Sequence, residues 1–235
     1  MSNIIFLHGW SMNGEVFIRQ KNSFEHHHIY APDLSGTRHG QISDLLRTFE
    51  DKPVLAGWSM GVSMILSELE SIQSMVSGLI FISGTPCFLA KEDFPQGMRQ
   101  SIASKLQKDL TEDFHSAWRT FTGLITHAET IDDRTLTELK ELFSRTENNI
   151  NIKQALDDLN WLYQSDFRSD IKKIEVPLKI ISGSLDRICF PDSSKYMAEN
   201  IPGASLHIID GAGHMPFFTR ADEVNKLVRD FADGH

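Results

Sequence analysis

Val54-Leu55-Ala56-Gly57-Trp58-Ser59-Met60-Gly61, running on into Val62-Ser63-Met64-Ile65-Leu66-Ser67-Glu68-Leu69, is the stretch whose reading decides the fold. Residues 54–56 are apolar and short enough for a strand, 57–61 form a glycine-bounded turn, and 61–69 have the character of a helix. A serine carried on so sharp a strand-to-helix turn is pushed out of the backbone into a strained, exposed position. Glycines two residues to either side let neighbouring backbone come close. The helix N-terminus then offers N–H groups where negative charge on an oxygen would develop. The pentapeptide therefore reads as a nucleophile turn built around Ser59.

Working outward, similar apolar runs occur at 4–7, 29–31, 79–82, 178–181 and 206–209, each ended by turn residues such as His8-Gly9, Pro32-Asp33 or Asp210-Gly211. Short, continuously apolar runs are what strands buried on both faces look like, as a parallel sheet requires. Helical stretches at 192–201 and 221–231 alternate with them, the second carrying Val224, Leu227, Val228 and Phe231 at helical spacing. The alternation predicts an α/β fold, a mainly parallel sheet of about six strands flanked by helices. Residues 87–167 break the pattern and read as amphipathic helices at 113–126, 131–143 and 152–167. They predict an all-helical lid inserted after the fourth strand, between core segments 1–86 and 168–235.

Composition narrows the function. The 235 residues are 40% hydrophobic with 15 Phe, ample for a core and contrary to disorder. No apolar run approaches the ~18 residues a bilayer span needs. A net charge of −9 argues against duplex nucleic acid as partner. Cys87 and Cys189 fit neither a disulfide framework nor a zinc spacing and read as buried thiols. His26-His27-His28 would point to alternate faces of an extended segment, so no metal site is expected. Residues 1–9 lack a basic leader followed by a long apolar run, which predicts a cytoplasmic protein.

A serine hydroxyl needs a base. His214, in Gly211-Ala212-Gly213-His214-Met215-Pro216, follows the last strand and so falls on the same sheet edge as Ser59. The imidazole in turn needs a carboxylate to fix its tautomer. Asp186, just after the fifth strand, is the candidate; Asp210 is set aside as too close in sequence to His214. Two N–H groups should hold the oxyanion, those of Met60 and Trp10, with Gly9 allowing the approach. The rings of Trp10 and Trp58, with Phe88, Phe121 and Leu124 of the lid, are expected to line an acyl pocket.

His8-Gly9-Trp10, Pro32-Asp33-Leu34-Ser35-Gly36, Gly57-Trp58-Ser59-Met60-Gly61, Gly183-Ser184-Leu185-Asp186 and Gly213-His214 together resemble the α/β-hydrolase superfamily from end to end of the chain. The order Ser59, Asp186, His214 is the one that resemblance implies. His8-Gly9-Trp10, Gly57 to Gly61, Gly84-Thr85-Pro86-Cys87-Phe88 and Asp113-Phe114 are closer still to one group, the pimeloyl-[acyl-carrier protein] methyl ester esterases of biotin synthesis. Three departures stand out. The one or two strands that usually precede the strand leading into His8-Gly9 are expected to be missing, and the sheet to be correspondingly smaller. The loop after Asp33 reads Leu-Ser-Gly, without the usual proline. Ser116 and Thr120 stand where that group has carrier-gripping arginines, leaving Arg119. Residues 87–167 hold nine Lys/Arg against fourteen Asp/Glu, a net of −5, which gives no general attraction to an acidic carrier. A local cluster among Arg99, Lys105, Lys108, Arg119 and Arg134 is the alternative.

These readings lead to a serine carboxylesterase acting on medium-length acyl esters through an acyl-enzyme. The specific form is the methyl ester of pimeloyl-acyl-carrier protein. No metal or organic cofactor is implied, and the chain is expected to be a monomer. Its substrate is a small-molecule or carrier-linked ester, with no nucleic acid or membrane as partner. Two rivals remain: a cofactor-free lyase of the menaquinone-pathway type, drawing on Arg38, Arg119 and Arg187, and a non-enzymatic ligand receptor on the same fold.

Overall fold

A computed structural model describes residues 2–24, 26–35 and 39–235. The chain enters through β1 (Asn3–Leu7), a short helix α1 (Ile18–Lys21) and β2 (His28–Tyr30), then α2 (Gln41–Leu46) and β3 (Val54–Trp58). The helices α3 (Met60–Ser67) and α4 (Leu69–Ile72) lead into β4 (Gly78–Ile82). Four helices follow without a strand: α5 (Gln100–Glu112), α6 (Phe114–Thr122), α7 (Asp133–Asn148) and α8 (Ile152–Gln164). The sheet resumes with β5 (Leu178–Gly183), α9 (Pro191–Asn200), β6 (Ser205–Ile209), α10 (Pro216–Thr219) and α11 (Ala221–Asp233).

All six strands are parallel, in the order β2-β1-β3-β4-β5-β6. β3 and β4 are buried at every residue, and β1 and β5 at all but one. Burial on both faces is why their sequences are continuously apolar. The edge strands differ: His28 and Tyr30 of β2 are exposed, and β6 is fully buried only at Ile209. Their expected two-faced burial is corrected, because a strand with one neighbour is left open on its outer side.

The chain leaves β1 toward β2 on one side and returns to β3 on the other. This reversal opens a crevice at the C-terminal ends of β1 and β3, where open α/β sheets bind ligands. His8-Gly9-Trp10 and Ser59 emerge there.

Helix limits show local chemistry. The stretch expected as one helix over 61–69 breaks at Glu68, whose carboxylate accepts from Ile42 N and Ser43 N at 3.3 and 3.0 Å and so caps α2. In the segment 87–167, Asp113, Asp132 and Asn151 cap α6, α7 and α8 by accepting from Ser116 N, Thr135 N and Gln154 N. α6 ends at Thr122, short of the expected 126, and α7 runs on to Asn148. α5 did not stand out in sequence, since it buries only Ala103 and Leu110 among polar neighbours. Among the described residues no helix is long and apolar enough to cross a membrane.

Candidate active site

Ser59 sits between β3 and α3 at φ 55°, ψ −118°. Its N–H donates to Ile82 O at 3.0 Å and its carbonyl accepts from Val62 N at 3.0 Å, so the strained residue is held from both sides. The flanking glycines are required by space. A Cβ on Gly61 would fall 2.4 Å from Leu7 O, and one on Gly57 would fall 2.7 Å from the Gly61 carbonyl carbon. Ser11 and Ser83, which follow β1 and β4, also take positive φ, 54° and 46°. Three of the four non-glycine residues with positive φ among the described residues thus follow inner strands; the fourth, Ala128 at 65°, lies in the turn after α6.

His214 Nε2 lies 2.9 Å from Ser59 Oγ, and its Nδ1 lies 2.8 Å from Asp186 Oδ2. A carboxylate only accepts, so Nδ1 carries the proton and Nε2 is free to accept from the serine hydroxyl. Asp186 is shielded from solvent, and its other oxygen accepts from Ile188 N at 2.8 Å and Cys189 N at 3.0 Å. These bonds satisfy a buried charge with fixed dipoles. The backbone of His214 is fixed too: its N–H donates to Ile125 O at 2.8 Å, and its carbonyl accepts from Trp58 Nε1 at 2.8 Å. Asp210 instead accepts from Ser184 Oγ at 3.1 Å.

The loop after β1 is held by a neutral histidine. His8 Nδ1 faces Gly9 O at 2.9 Å, and Leu34 N donates to its Nε2 at 3.1 Å, which places the proton on Nδ1. Burial pushes its pKa down from the ordinary value, partly offset by the Gly9 carbonyl and by Asp33 and Asp158. Gly9 passes against the nucleophile, since a Cβ there would lie 3.2 Å from Ser59 Cβ. The loop is latched to the helical segment twice: Trp10 Nε1 donates to Ala155 O at 2.6 Å, and Trp118 Nε1 donates to Ser11 Oγ at 2.8 Å. Met60 is the first residue of α3, where the helix supplies no partner for the N–H.

Of the expected pocket residues, Trp10 meets Phe121 edge to face at 5.2 Å, and Phe88 stacks on Tyr163 at 5.8 Å. Leu124 is half-buried just beyond α6. Trp58 takes a different place: buried against His214 and Phe217, it supports the histidine carbonyl instead of walling an open pocket. A cavity of about 350 Å3 opens beside the β1 loop, with a mixed lining in which His8, Asp33 and Asp158 stand beside Met12, Leu34 and Ile150.

The candidate arginines are dispersed. Arg119 pairs with Glu147 at 2.6 Å, Arg134 with Glu138 at 2.9 Å, and Lys105 and Lys108 with Asp109 and Glu112. Arg187 and Arg99 line another cavity with Lys195 and Phe190, which Asp186 also borders. Arg38, with Gly36 and Thr37, lies outside the described residues. His27 faces Asp233 at 3.4 Å, while His28 is exposed on β2. Cys87 and Cys189 are free and buried, and burial beside Asp186 pushes the Cys189 thiol up.

Sequence reasoning missed the Ile188 and Cys189 N–H groups, the Trp58 indole and Ile125 as partners of the site. Backbone donors leave no side-chain signature, and Ile125 is separated from His214 by most of the second half of the chain.

The chain matches the alpha/beta hydrolase family over residues 4–227 and belongs to it. Its curated relatives include the pimeloyl-[acyl-carrier protein] methyl ester esterase of Xylella fastidiosa (strain M12), 26% identical over 97% of this chain and 94% of the relative. The enzyme of the same name from Aliivibrio fischeri (strain MJ11) is 26% identical over 100% of this chain and 95% of its own length. Among solved structures, an esterase from Exiguobacterium antarcticum superposes with a TM-score of 0.90 at 22% identity, covering 99% of this chain and 92% of that one.

Proposed function

We propose that the protein is a serine carboxylesterase working through an acyl-enzyme on Ser59. One observation carries the reading: His214 bridges Ser59 Oγ and Asp186 within hydrogen-bond distance on both sides. Ser59 Oγ attacks the ester carbonyl carbon while His214 Nε2 takes its proton. The N–H groups of Trp10 and Met60 receive the oxyanion. The imidazolium, held by Asp186, returns the proton to the departing alcohol. Water, deprotonated by the same nitrogen, then releases the acid and restores Ser59.

The acyl group is of medium length, received among Trp10, Phe88, Phe121 and Leu124. The names of the two relatives support a methyl ester of a carrier-linked diacid as the natural substrate. Ion pairing along the helices leaves few free cations to draw an acidic carrier, so a free ester remains an equal form of this proposal. A panel of acyl esters of graded length, free and carrier-linked, tests it with the wild type and Ser59→Ala. The wild type is expected to peak at medium chain length, and Ser59→Ala to lose at least about 10^4-fold in kcat. Absence of hydrolysis across the panel, or an undiminished Ser59→Ala rate, defeats the proposal.

A further inference from the structure

The turn between α6 and α7 crosses directly over the loop that carries His214. Ile125 O accepts from His214 N, and a Cβ on Gly213 would fall 2.5 Å from both Ile125 O and Glu129 Oε1. Only a residue without a side chain allows this closure. The Glu129 carboxylate is wholly buried, and neither oxygen meets hydrogen-bond geometry, although the Gly213 N–H and the Thr219 hydroxyl lie beside it. Arg220 Nη1 is 3.7 Å away. The same guanidinium donates to Thr130 O at 3.3 Å, Gly211 O at 3.1 Å and Thr219 O at 3.0 Å. Residues of the turn thus grip the histidine loop on both sides of His214.

Burial pushes the Glu129 carboxyl up from its ordinary value, with Thr219, Gly213 and Arg220 offsetting only part of the effect. A carboxylate so poorly partnered costs stability where it stands. We propose that Glu129 is a positioning residue: with Arg220 and Gly213 it fixes the backbone around His214, keeping Nε2 in reach of Ser59 while Nδ1 stays on Asp186. The inference rests on the esterase reading of Ser59, His214 and Asp186. Misplacing a general base by a fraction of an ångström slows proton transfer without changing how substrate binds.

The test measures capture of Ser59 by a fluorophosphonate probe, kcat and KM for a p-nitrophenyl ester, and the urea unfolding midpoint. Wild type, Glu129→Gln and Glu129→Ala are compared. Both variants are expected to capture the probe about tenfold more slowly, with kcat falling in step and KM within about twofold. The Glu129→Gln midpoint is expected at or above wild type, since the isosteric amide removes a badly solvated charge. If Glu129→Ala does not fold, the amide variant carries the test alone. Capture at the wild-type rate overturns the inference, as does slowing that merely follows a lowered midpoint. A wild type that captures no probe overturns the esterase reading itself, a distinct failure.

Discussion

Two of the seams that join the segment 87–167 to the sheet are built on opposite terms. At its base, Asp166 accepts from Arg168 Nε and Nη2, both at 2.8 Å, and from Lys91 Nζ at 2.6 Å, while Arg168 Nη1 reaches Asp93 at 2.8 Å. Backbone bonds close the same seam, with Phe167 N donating to Pro86 O at 2.7 Å. The Arg168 guanidinium holds the Asp166 carboxyl well below the usual carboxylate range. At the other seam, over the histidine loop, the buried Glu129 carboxylate meets no hydrogen-bond geometry, is left with Arg220 Nη1 at 3.7 Å, and is pushed up by burial. The base seam satisfies its charges and serves stability. The upper seam tolerates a poorly partnered one beside the proposed general base, as functional sites do.

The largest expected effect sharpens this contrast on the chemical side. Asp186→Asn keeps the shape of the site but offers an amide where Nδ1–H needs a carboxylate. It should lower kcat about 10^4-fold on a p-nitrophenyl ester while leaving the urea midpoint nearly unchanged. On the base seam the expectation reverses. Asp166→Asn should cost about 1–2 kcal/mol of stability near neutral pH, with kcat within twofold of wild type. A large loss of turnover in that variant would break the division between the seams.

The smallest effects separate the seams by pH. The folded-state pKa of Asp166 is depressed, so its contribution is present above the unfolded value of about 4 and is lost as pH falls through the folded value. The deficit of Asp166→Asn should therefore shrink below about pH 4. Glu129 is raised, so its contribution is full below the unfolded value and lost as pH rises through the folded one. The stability advantage of Glu129→Gln should thus be absent at acid pH and emerge above about pH 4. Urea titrations across the acid range check both, and parallel behaviour would erase the contrast.

The two seams were unequally legible in the sequence. Inner strands announced themselves because both faces are buried, as in the run Leu79 to Ile82. Ser59, Asp186 and His214 stood out because each follows an apolar run, and parallel strands deliver such positions to one edge. The edge strands misled, since Leu206 to Ile209 is apolar in sequence yet only half-buried along most of its length. Glu129 gave no sign at all. It is one of many charges on an acidic helical segment, and only the fold brings it against Gly213. Trp58 was noticed for its ring, but the structure uses its indole N–H.

The central claim is that Ser59 carries the acyl group during turnover, and rapid quench with intact-mass analysis measures that directly. On mixing with a p-nitrophenyl ester, the wild type should release one equivalent of p-nitrophenolate in a burst and gain the mass of one acyl group. That mass should map to the peptide containing Ser59 and be missing from Ser59→Ala. An acyl group on another residue, or steady turnover by Ser59→Ala, would contradict the account.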